Sequence, residues 1–447
     1  MVRRLTRFLA TAGAGSVLAA AIAAPAYATP SPRQEQWWFS AWEIEQKVWP
    51  VSRGAGVTVA VLDTGVNARL PDFRGALVPG TDVSTGTGDG GRDDGDSPGH
   101  GTQMASLIAS RGTGTGFVGV APEAKIMSVR TPGVNVDKAI RFAADHGAKV
   151  INISQGYPRP DNKCPDEIQL AVDYALQRDV VIVAAAGNNG NVTNHPEAPA
   201  NCAGVLAVGA IDNQKRAWEK TARQSFVEVA APGVYVGGVN HLGQVLTAKA
   251  GTSPASALTS AVAALIRSKY PQMPNREVVQ RIINTAKDAG PPGRDEMTGN
   301  GAVIPAAALT ADVPKTAPNP VFERYDQWRR THAQAARRPG QNTPTKSAFT
   351  KREEQAAQRT KLLLGALGGV VALLAVLLVV VLAIAKRRKP AAAGPMPGGT
   401  PGGTPGQQPG PPVQPPGWGG QVGPPPAGQA PQHPSGIQQR PPAGPPQ

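Results

Sequence analysis

The feature of this sequence that most limits its fold is a series of short, β-branched apolar runs separated by segments with helical periodicity. Runs that are apolar at nearly every position are typical of strands buried on both faces of a sheet, and helices between them connect parallel neighbours. The runs are Val57–Leu62, Ile126–Val129, Val150–Ser154, Val180–Ala185 and Val205–Val208, and the helical patterns are Val136–His146, Glu167–Leu176, Ser253–Tyr270 and Asn275–Asp288. The pattern predicts an α/β fold in which helices cover both faces of a parallel sheet.

The basic character of the chain is confined to its two ends. The net charge is +14, yet residues 42–312 hold 25 basic and 26 acidic side chains. The excess of Lys and Arg lies in residues 1–28, 313–361 and 386–389, with one further Arg near the end. Because a nucleic-acid-binding domain carries its basic residues on the folded body, this distribution argues against that class of partner and indicates membrane topology instead.

Residues 1–28 have the parts of a secretory signal. Arginines within the first seven residues precede an apolar, alanine-rich stretch, and Ala26-Tyr27-Ala28 matches a small-x-small cleavage site. This pattern favours a cleaved signal over a retained membrane anchor, and the residues after Arg3-Arg4 match a twin-arginine signal poorly. We therefore expect the body of the protein to be exported.

A second apolar segment, Leu362–Ala385, runs for 24 residues without a charge. As a helix it would be about 36 Å long at about 1.5 Å per residue, which is enough to cross a bilayer. Behind a cleaved signal, it predicts a single-pass anchor that leaves residues 386–447 in the cytoplasm. That tail is dominated by Pro, Gly and Gln and is expected to be disordered, whereas residues 313–361 are expected to form a basic linker.

Cys164 and Cys202 are the only cysteines, and both lie in the part expected to be exported. An oxidising compartment favours a single disulfide between them over two free thiols. The acidic residues of the segment 84–99 are of the type that calcium prefers, but their spacing matches no calcium loop, and a solvated loop is favoured. No metal or other cofactor is expected from the sequence.

Three motifs supply a carboxylate, an imidazole and a hydroxyl in that order along the chain. Asp63 directly follows an apolar run, His100 lies between two glycines, and Ser253 opens an apolar helical pattern with Pro254 expected at its first position. Nucleophilic acyl transfer needs these three groups, and we interpret the glycines beside His100 as space for a substrate. The alternatives are a turn role for Asp63, a helix cap at Ser253 and a nucleophilic role for Ser256 instead.

The order Asp, His, Ser, with these neighbours, resembles the subtilisin-like serine proteases. The resemblance implies that Asp63, His100 and Ser253 form the catalytic triad of a peptidase domain over residues 57–312. It assigns Asn188, in preference to Asn189, as the side-chain donor of the oxyanion hole. The segment Ser154-Gln155-Gly156 resembles the one that pairs with the substrate main chain and lines its primary pocket in that family.

The order of signal, short extension, peptidase domain and anchor resembles the mycosins, membrane-anchored proteases of actinobacterial type VII secretion systems. Residues 29–56 are too few for a folded inhibitory pro-domain, and in that family a short extension wraps the catalytic domain without blocking it; here Gln36–Trp42 would be that extension. Mycosins often tie the extension down with a cysteine bridge, which this sequence does not provide there. We therefore expect a looser extension.

The mycosin resemblance implies a serine endopeptidase outside the cytoplasmic membrane that processes secreted peptide or protein substrates and associates with the type VII secretion membrane complex. Two alternatives stay open. The folded body acts mainly as a structural component of that complex, or the protein is a general degradative protease with broad specificity.

Overall fold

The computed structural model describes residues 30–337, apart from residues 87, 92, 94–98, 134 and 248. The strands are β1 Thr58–Asp63, β2 Leu77–Asp82, β3 Lys125–Arg130, β4 Val150–Ile153, β5 Tyr157–Pro158, β6 Val181–Ala185, β7 Glu197–Ala198, β8 Leu206–Ile211 and β9 Val227–Pro232. The α-helices are α1 Trp37–Ala41, α2 His100–Ala109, α3 Val136–Asp145, α4 Asp166–Leu176, α5 Thr252–Lys269, α6 Asn275–Asn284, α7 Pro305–Thr310 and α8 Pro320–Arg337. Ile44–Val48 forms a π-helical turn and Pro71–Phe73 a 3₁₀ turn.

Seven of these strands form one parallel sheet in the order β2-β3-β1-β4-β6-β8-β9. Every residue of β4, β6, β8 and β9 is buried. Since successive side chains of a strand point to opposite faces, both faces of the sheet must be covered. Helices cover the sheet in two packed pairs, α2 with α5 and α3 with α4. The predicted α/β fold with a parallel sheet is confirmed.

The course of the chain through the sheet creates a crevice beside β1. The chain enters at β1, adds β2 and β3 on one side, and then adds β4 and the later strands on the other side. Ligands of open parallel sheets bind where the strand order reverses in this way, outside the carboxyl ends of the strands. Asp63 is the last residue of β1, and Ser154 directly follows β4. The fold therefore brings two of the predicted site residues to this crevice.

The N-terminal extension is firmly packed on the body, so the expectation of a looser extension is wrong. The side chain of Gln36 pairs with the main chain of Val118, donating to its carbonyl at 2.7 Å and accepting from its amide at 3.1 Å. Trp38 is 1% exposed, and Trp49 donates from Nε1 to the carbonyl of Val120 at 3.0 Å. Buried aromatic area and these hydrogen bonds hold the segment without a cysteine bridge.

The first part of the predicted basic linker is a helix that belongs to the folded body. In α8, Val321, Phe322 and Tyr325 are at most 4% exposed. The Tyr325 hydroxyl donates to Asp173 of α4 at 2.7 Å. The polar and basic composition of residues 313–361 predicts a linker throughout, but α8 carries an apolar stripe that it turns towards the body.

The remaining topological predictions fall outside the described residues. These are the signal at 1–28, the rest of the linker at 338–361, the membrane segment at 362–385 and the tail at 386–447. Within residues 30–337, and setting aside the gaps named above, no helix has both the length and the apolar character to cross a bilayer. The described residues all lie in one of two compact units of the chain, Met1–Thr345.

Candidate active site

Asp63 and His100 are joined by a hydrogen bond of 2.8 Å between Asp63 Oδ1 and His100 Nδ1. Asp63 is fully buried at the end of β1, and the imidazole, at the first position of α2, is 25% exposed. Burial lowers the pKa of His100, but the charge and hydrogen bond of Asp63, with the charge of Asp93, outweigh burial and raise that pKa above 6.5. With Nδ1 held by the carboxylate, Nε2 is the nitrogen left to take a proton.

Asp93 supports this pair and was not recognised as doing so from the sequence. It is 6% exposed. Its Oδ1 accepts the hydroxyl of Thr64 at 2.6 Å, and its Oδ2 accepts the amide of Thr102 at 2.9 Å and the hydroxyl of the same residue. The carboxylate thus ties the turn after β1 to the first turn of α2. An acidic residue followed by short polar ones gives no local sign of such a distant contact.

The acidic loop around Asp93 shows no metal cluster where it is described. The sequence offered Asp89, Asp93, Asp94 and Asp96 as oxygen ligands, of which Asp94 and Asp96 lie outside the described residues. The oxygens of Asp93 are occupied by threonine donors, and Asp89 Oδ1 accepts the amide of Gly91 at 2.9 Å. In the part of the chain that the structure describes, no three His, Cys, Asp or Glu side chains are grouped to hold an ion.

The glycines beside His100 serve close packing of the main chain, which corrects the interpretation that they leave space for substrate. Gly99 has φ +67°, and a Cβ there would lie 2.2 Å from the amide nitrogen of His241. A Cβ on Gly101 would lie 2.1 Å from the carbonyl oxygen of Gly65. Only glycine therefore allows α2 to start this close to its two neighbouring loops.

Ser253 is the second residue of α5 and is 8% exposed. Its hydroxyl donates to the carbonyl oxygen of Ser154 at 2.9 Å, and no hydrogen bond joins it to His100, although both residues are described. Its amide is among the first of the helix, which have no partner four residues earlier and lie at the positive end of the helix dipole. Because α5 begins at Thr252, Pro254 is its third residue, and the prediction that it occupies the first position is wrong.

Ser256, the alternative nucleophile, is buried in a polar network. It is 0% exposed and donates to Asn152 Oδ1 at 2.8 Å, which also accepts from Ser260 at 3.1 Å. Asn152 Nδ2 donates to the hydroxyl of Ser154 at 3.0 Å. The network fixes α5 against the end of β4. An asparagine inside an otherwise apolar strand was the sequence signal that could have revealed it.

Asn188 lies after β6 with its side chain exposed beside the start of α5. Its Oδ1 accepts from both the amide and the hydroxyl of Thr252, each at 2.9 Å. Because an amide N–H can only donate, the atom facing Thr252 must be the oxygen, and the Nδ2 group is left to donate elsewhere. Asn189 is differently engaged, since its Nδ2 donates to Glu197 at 2.9 Å and to the carbonyl of His195 at 3.1 Å.

The segment Ser154-Gln155-Gly156 lies between β4 and β5, beside Ser253. Ser154 is 5% exposed, while Gly156 is exposed.

The disulfide between Cys164 and Cys202 is present. It connects the residues just before α4 with the turn after β7. The prediction of one disulfide is confirmed.

Fold and site together define a serine protease of the subtilisin type. An aspartate ends the first strand of the parallel sheet, a histidine begins α2 and a serine lies in the first turn of α5. The family model described as the Subtilase family matches residues 54–301. The chain belongs to the subtilase family, whose members are serine proteases, and it is an enzyme of that class.

Among curated relatives the chain is similar to the mycosins of Mycobacterium tuberculosis (strain ATCC 25618 / H37Rv). It is 38% identical to Mycosin-4 over 315 residues, which cover 60% of this chain and 67% of the relative. It is 33% identical to Mycosin-1 over 333 residues, covering 61% and 72%. The solved structure of MycP1 from the ESX-1 type VII secretion system matches with TM-score 0.56 and 29% identity, over 66% of this chain and 92% of that one. The resemblance to the mycosins is confirmed.

Proposed function

We propose that this chain is a membrane-anchored, extracytoplasmic serine endopeptidase that processes substrates of a type VII secretion system. The observation that carries the catalytic part is the 2.8 Å hydrogen bond between Asp63 and His100, at the same sheet edge as Ser253. Similarity to Mycosin-4 and to MycP1 supports the link to secretion. The location rests on the sequence of the signal at 1–28 and the apolar segment at 362–385.

In the proposed reaction, the Ser253 hydroxyl turns from the carbonyl of Ser154 towards His100 and attacks the substrate carbonyl carbon. His100 Nε2 accepts the hydroxyl proton, and Asp63 stabilises the imidazolium that forms. The oxyanion accepts hydrogen bonds from Asn188 Nδ2 and the Ser253 amide. His100 then gives the proton to the leaving amine. A water activated by the same imidazole hydrolyses the acyl-enzyme and restores Ser253.

We also propose that Ser154, Gln155 and Gly156 hold the acyl side of the substrate. Their position next to the nucleophile supports this role, because an extended peptide laid along them brings its carbonyl to Ser253. Pairing with main-chain groups aligns a peptide of any sequence, so selectivity has to come from side chains around the cleft.

Cells that carry Ser253→Ala, a deletion of the whole gene, or the unchanged protein test the function. Mass spectrometry of the secreted proteins reads out both the amount exported and the position of new termini. We expect Ser253→Ala to leave substrates secreted but uncleaved. Identical termini in the mutant and in the unchanged cells would contradict the processing role. Export lost on deletion but retained in Ser253→Ala would show that the folded body also supports the secretion complex.

The proposed location has its own test. Protease added to intact cells should digest an epitope placed before residue 338 and spare one placed at the end of the chain. Deleting residues 362–447 should release the body from the membrane fraction. A body that is protected in intact cells, or that stays membrane-bound after this deletion, would contradict the proposed anchor and orientation.

A further inference from the structure

Glu197 is a carboxylate that lies against two glycines of the candidate active site. It begins β7 and pairs with Pro158 of β5. A Cβ added to Gly156 would lie 2.1 Å from Glu197 Oε2, and one added to Gly187 would lie 2.8 Å from Glu197 Cδ. Glycine at both positions therefore lets this carboxyl group lie directly against the main chain of two separate loops.

Both of those loops hold reacting groups. Gly187 directly precedes Asn188, the proposed oxyanion donor, and Gly156 lies two residues after Ser154, whose carbonyl accepts the Ser253 hydroxyl. A substrate carbonyl that is attacked by Ser253 and held by Asn188 carries its own side chain on the acyl side. A side chain that entered between the two loops would meet the carboxyl group of Glu197, which lies against Gly156 and Gly187.

The charge of Glu197 is not balanced by a cationic side chain in the part of the chain that the structure describes. Among the described residues, no Lys, Arg or His lies within ion-pair distance of it, and its Oε1 accepts from Asn189 Nδ2 at 2.9 Å. Burial raises the pKa of Glu197, and a hydrogen bond from the amide of Asn188 offsets this only in part. By contrast, the buried carboxylate of Glu228 is paired with Arg294 at 3.2 Å. A half-buried anion is costly without a counter-charge, so a cation from outside would be bound favourably there.

We propose that Glu197 is a specificity-determining residue that selects Lys or Arg immediately before the scissile bond. This inference deepens the proposed protease function and rests on it. The long side chain of a basic residue brings its charge to the carboxylate while its methylene groups cover the glycine-lined walls. Such selectivity would restrict a protease to few sites in folded or secreted substrates.

The choice of variant distinguishes substrate selection by Glu197 from a purely supporting role through its hydrogen bond to Asn189. Glu197→Gln keeps an acceptor oxygen for Asn189 and nearly the same shape, but removes the charge. Glu228→Gln is the matched control, because it neutralises a second glutamate whose pKa is also raised by burial and which lies outside the two active-site loops. A supporting role predicts equal losses for all substrates, whereas a specificity role predicts a loss confined to basic ones.

The experiment uses the purified full-length protein in detergent and a peptide library randomised on both sides of a central bond. The cleaved sequences identify a suitable peptide, which is then made in four forms with Lys, Arg, Gln or Ala immediately before the scissile bond. The value of kcat/KM is measured for each form. We expect the unchanged protein to favour Lys and Arg over Gln by about tenfold or more. Glu197→Gln should bring the ratio of kcat/KM for the Lys and Arg peptides to kcat/KM for the Gln peptide down to about one. Glu228→Gln should retain the preference.

Equal cleavage of the basic and neutral peptides by the unchanged protein would overturn the inference. A uniform loss across all four peptides in Glu197→Gln would also overturn it, in favour of a supporting role. In either case, Ser253-dependent cleavage of the Ala peptide would leave the protease function intact. Failure of the unchanged protein to cleave any library member would instead contradict the proposed function and, with it, this inference.

Discussion

Ser154 and Ser253 exchange two hydrogen bonds, each hydroxyl donating to the main-chain carbonyl of the other residue. The Ser253 hydroxyl lies 2.9 Å from the Ser154 oxygen, and the Ser154 hydroxyl lies 3.1 Å from the Ser253 oxygen. The pair fixes the segment after β4 to the first turn of α5. In this arrangement the Ser253 hydroxyl is bound to Ser154, while the His100 imidazole is bound to Asp63. The proposed reaction therefore requires the Ser253 side chain to turn towards His100.

The Asp63–His100 pair predicts a specific pH dependence. The neutral imidazole is the base, and its pKa lies above 6.5, so kcat/KM should rise with pH through an inflection above that value. In Asp63→Asn the charge and hydrogen bond that raise the pKa of His100 most are lost, while burial, which lowers it, and the charge of Asp93 remain, so the inflection should move to lower pH. We also expect kcat to fall by about 10⁴-fold. A pH–rate profile measures both, and an unchanged inflection would contradict the proposed pairing.

Asn188 is predicted to stabilise the transition state more than the bound substrate. Asn188→Ala should lower kcat by about 10²- to 10³-fold with little change in KM, since the oxyanion exists only after attack. Asn189→Ala is the neighbouring control, and its loss in kcat should be smaller by at least about tenfold because its amide points to Glu197 and His195. Equal losses in the two variants would contradict the assignment of Asn188.

The packed extension predicts a large stability effect at Trp38. Replacing this side chain, which is 1% exposed, by Ala should lower the free energy of unfolding by about 3–5 kcal/mol. Ser40→Ala, at an exposed position of the same helix, should change it by less than about 0.5 kcal/mol. Denaturant unfolding measures both, and similar small effects would indicate that the extension is loosely held in solution.

Helix α8 is predicted to stabilise the catalytic body in the same way. Replacing Phe322, which is 2% exposed, by Ala should lower the free energy of unfolding by about 3–5 kcal/mol. Gln327→Ala, on the exposed side of the helix, should change the free energy of unfolding by less than about 0.5 kcal/mol. Unfolding followed by denaturant titration provides the comparison. If both variants were as stable as the unchanged protein, α8 would be part of the linker after all.

The strands that the sequence predicted are those with continuous apolar runs, such as Val150–Ser154. Two strands of the seven-stranded sheet, β2 and β9, were missed because each carries residues that oppose the pattern. β2 contains Pro79 and Gly80, which indicate a turn, and it tolerates them because it lies at the sheet edge with a register shift. β9 contains Glu228, which is buried only because Arg294, far along the chain, pairs with it. Neither the edge position of β2 nor the pairing of Glu228 with Arg294 can be recognised from the neighbouring residues in the sequence.

The candidate site shows the same difference between local motifs and contacts that are distant in sequence. Asp63, His100 and Ser253 stand out because their motifs are local and chemically distinctive. Asp93 and Glu197 act through contacts with loops that are distant in sequence, and nothing in their immediate neighbours points to those contacts. The candidate reacting groups could therefore be named from the sequence, while Asp93 and the proposed specificity residue Glu197 needed the three-dimensional arrangement.

The central claim is that Ser253 is the nucleophile, and covalent labelling tests it most directly. The purified full-length protein is treated with an organophosphonate, which phosphonylates activated serines, and fragment-ion mass spectrometry locates the adduct. We predict one adduct on Ser253, none on the buried Ser256, and strongly reduced labelling in Asp63→Asn, because the base is no longer held. An adduct on a different serine, or no adduct in a protein that cleaves peptides, would contradict the account.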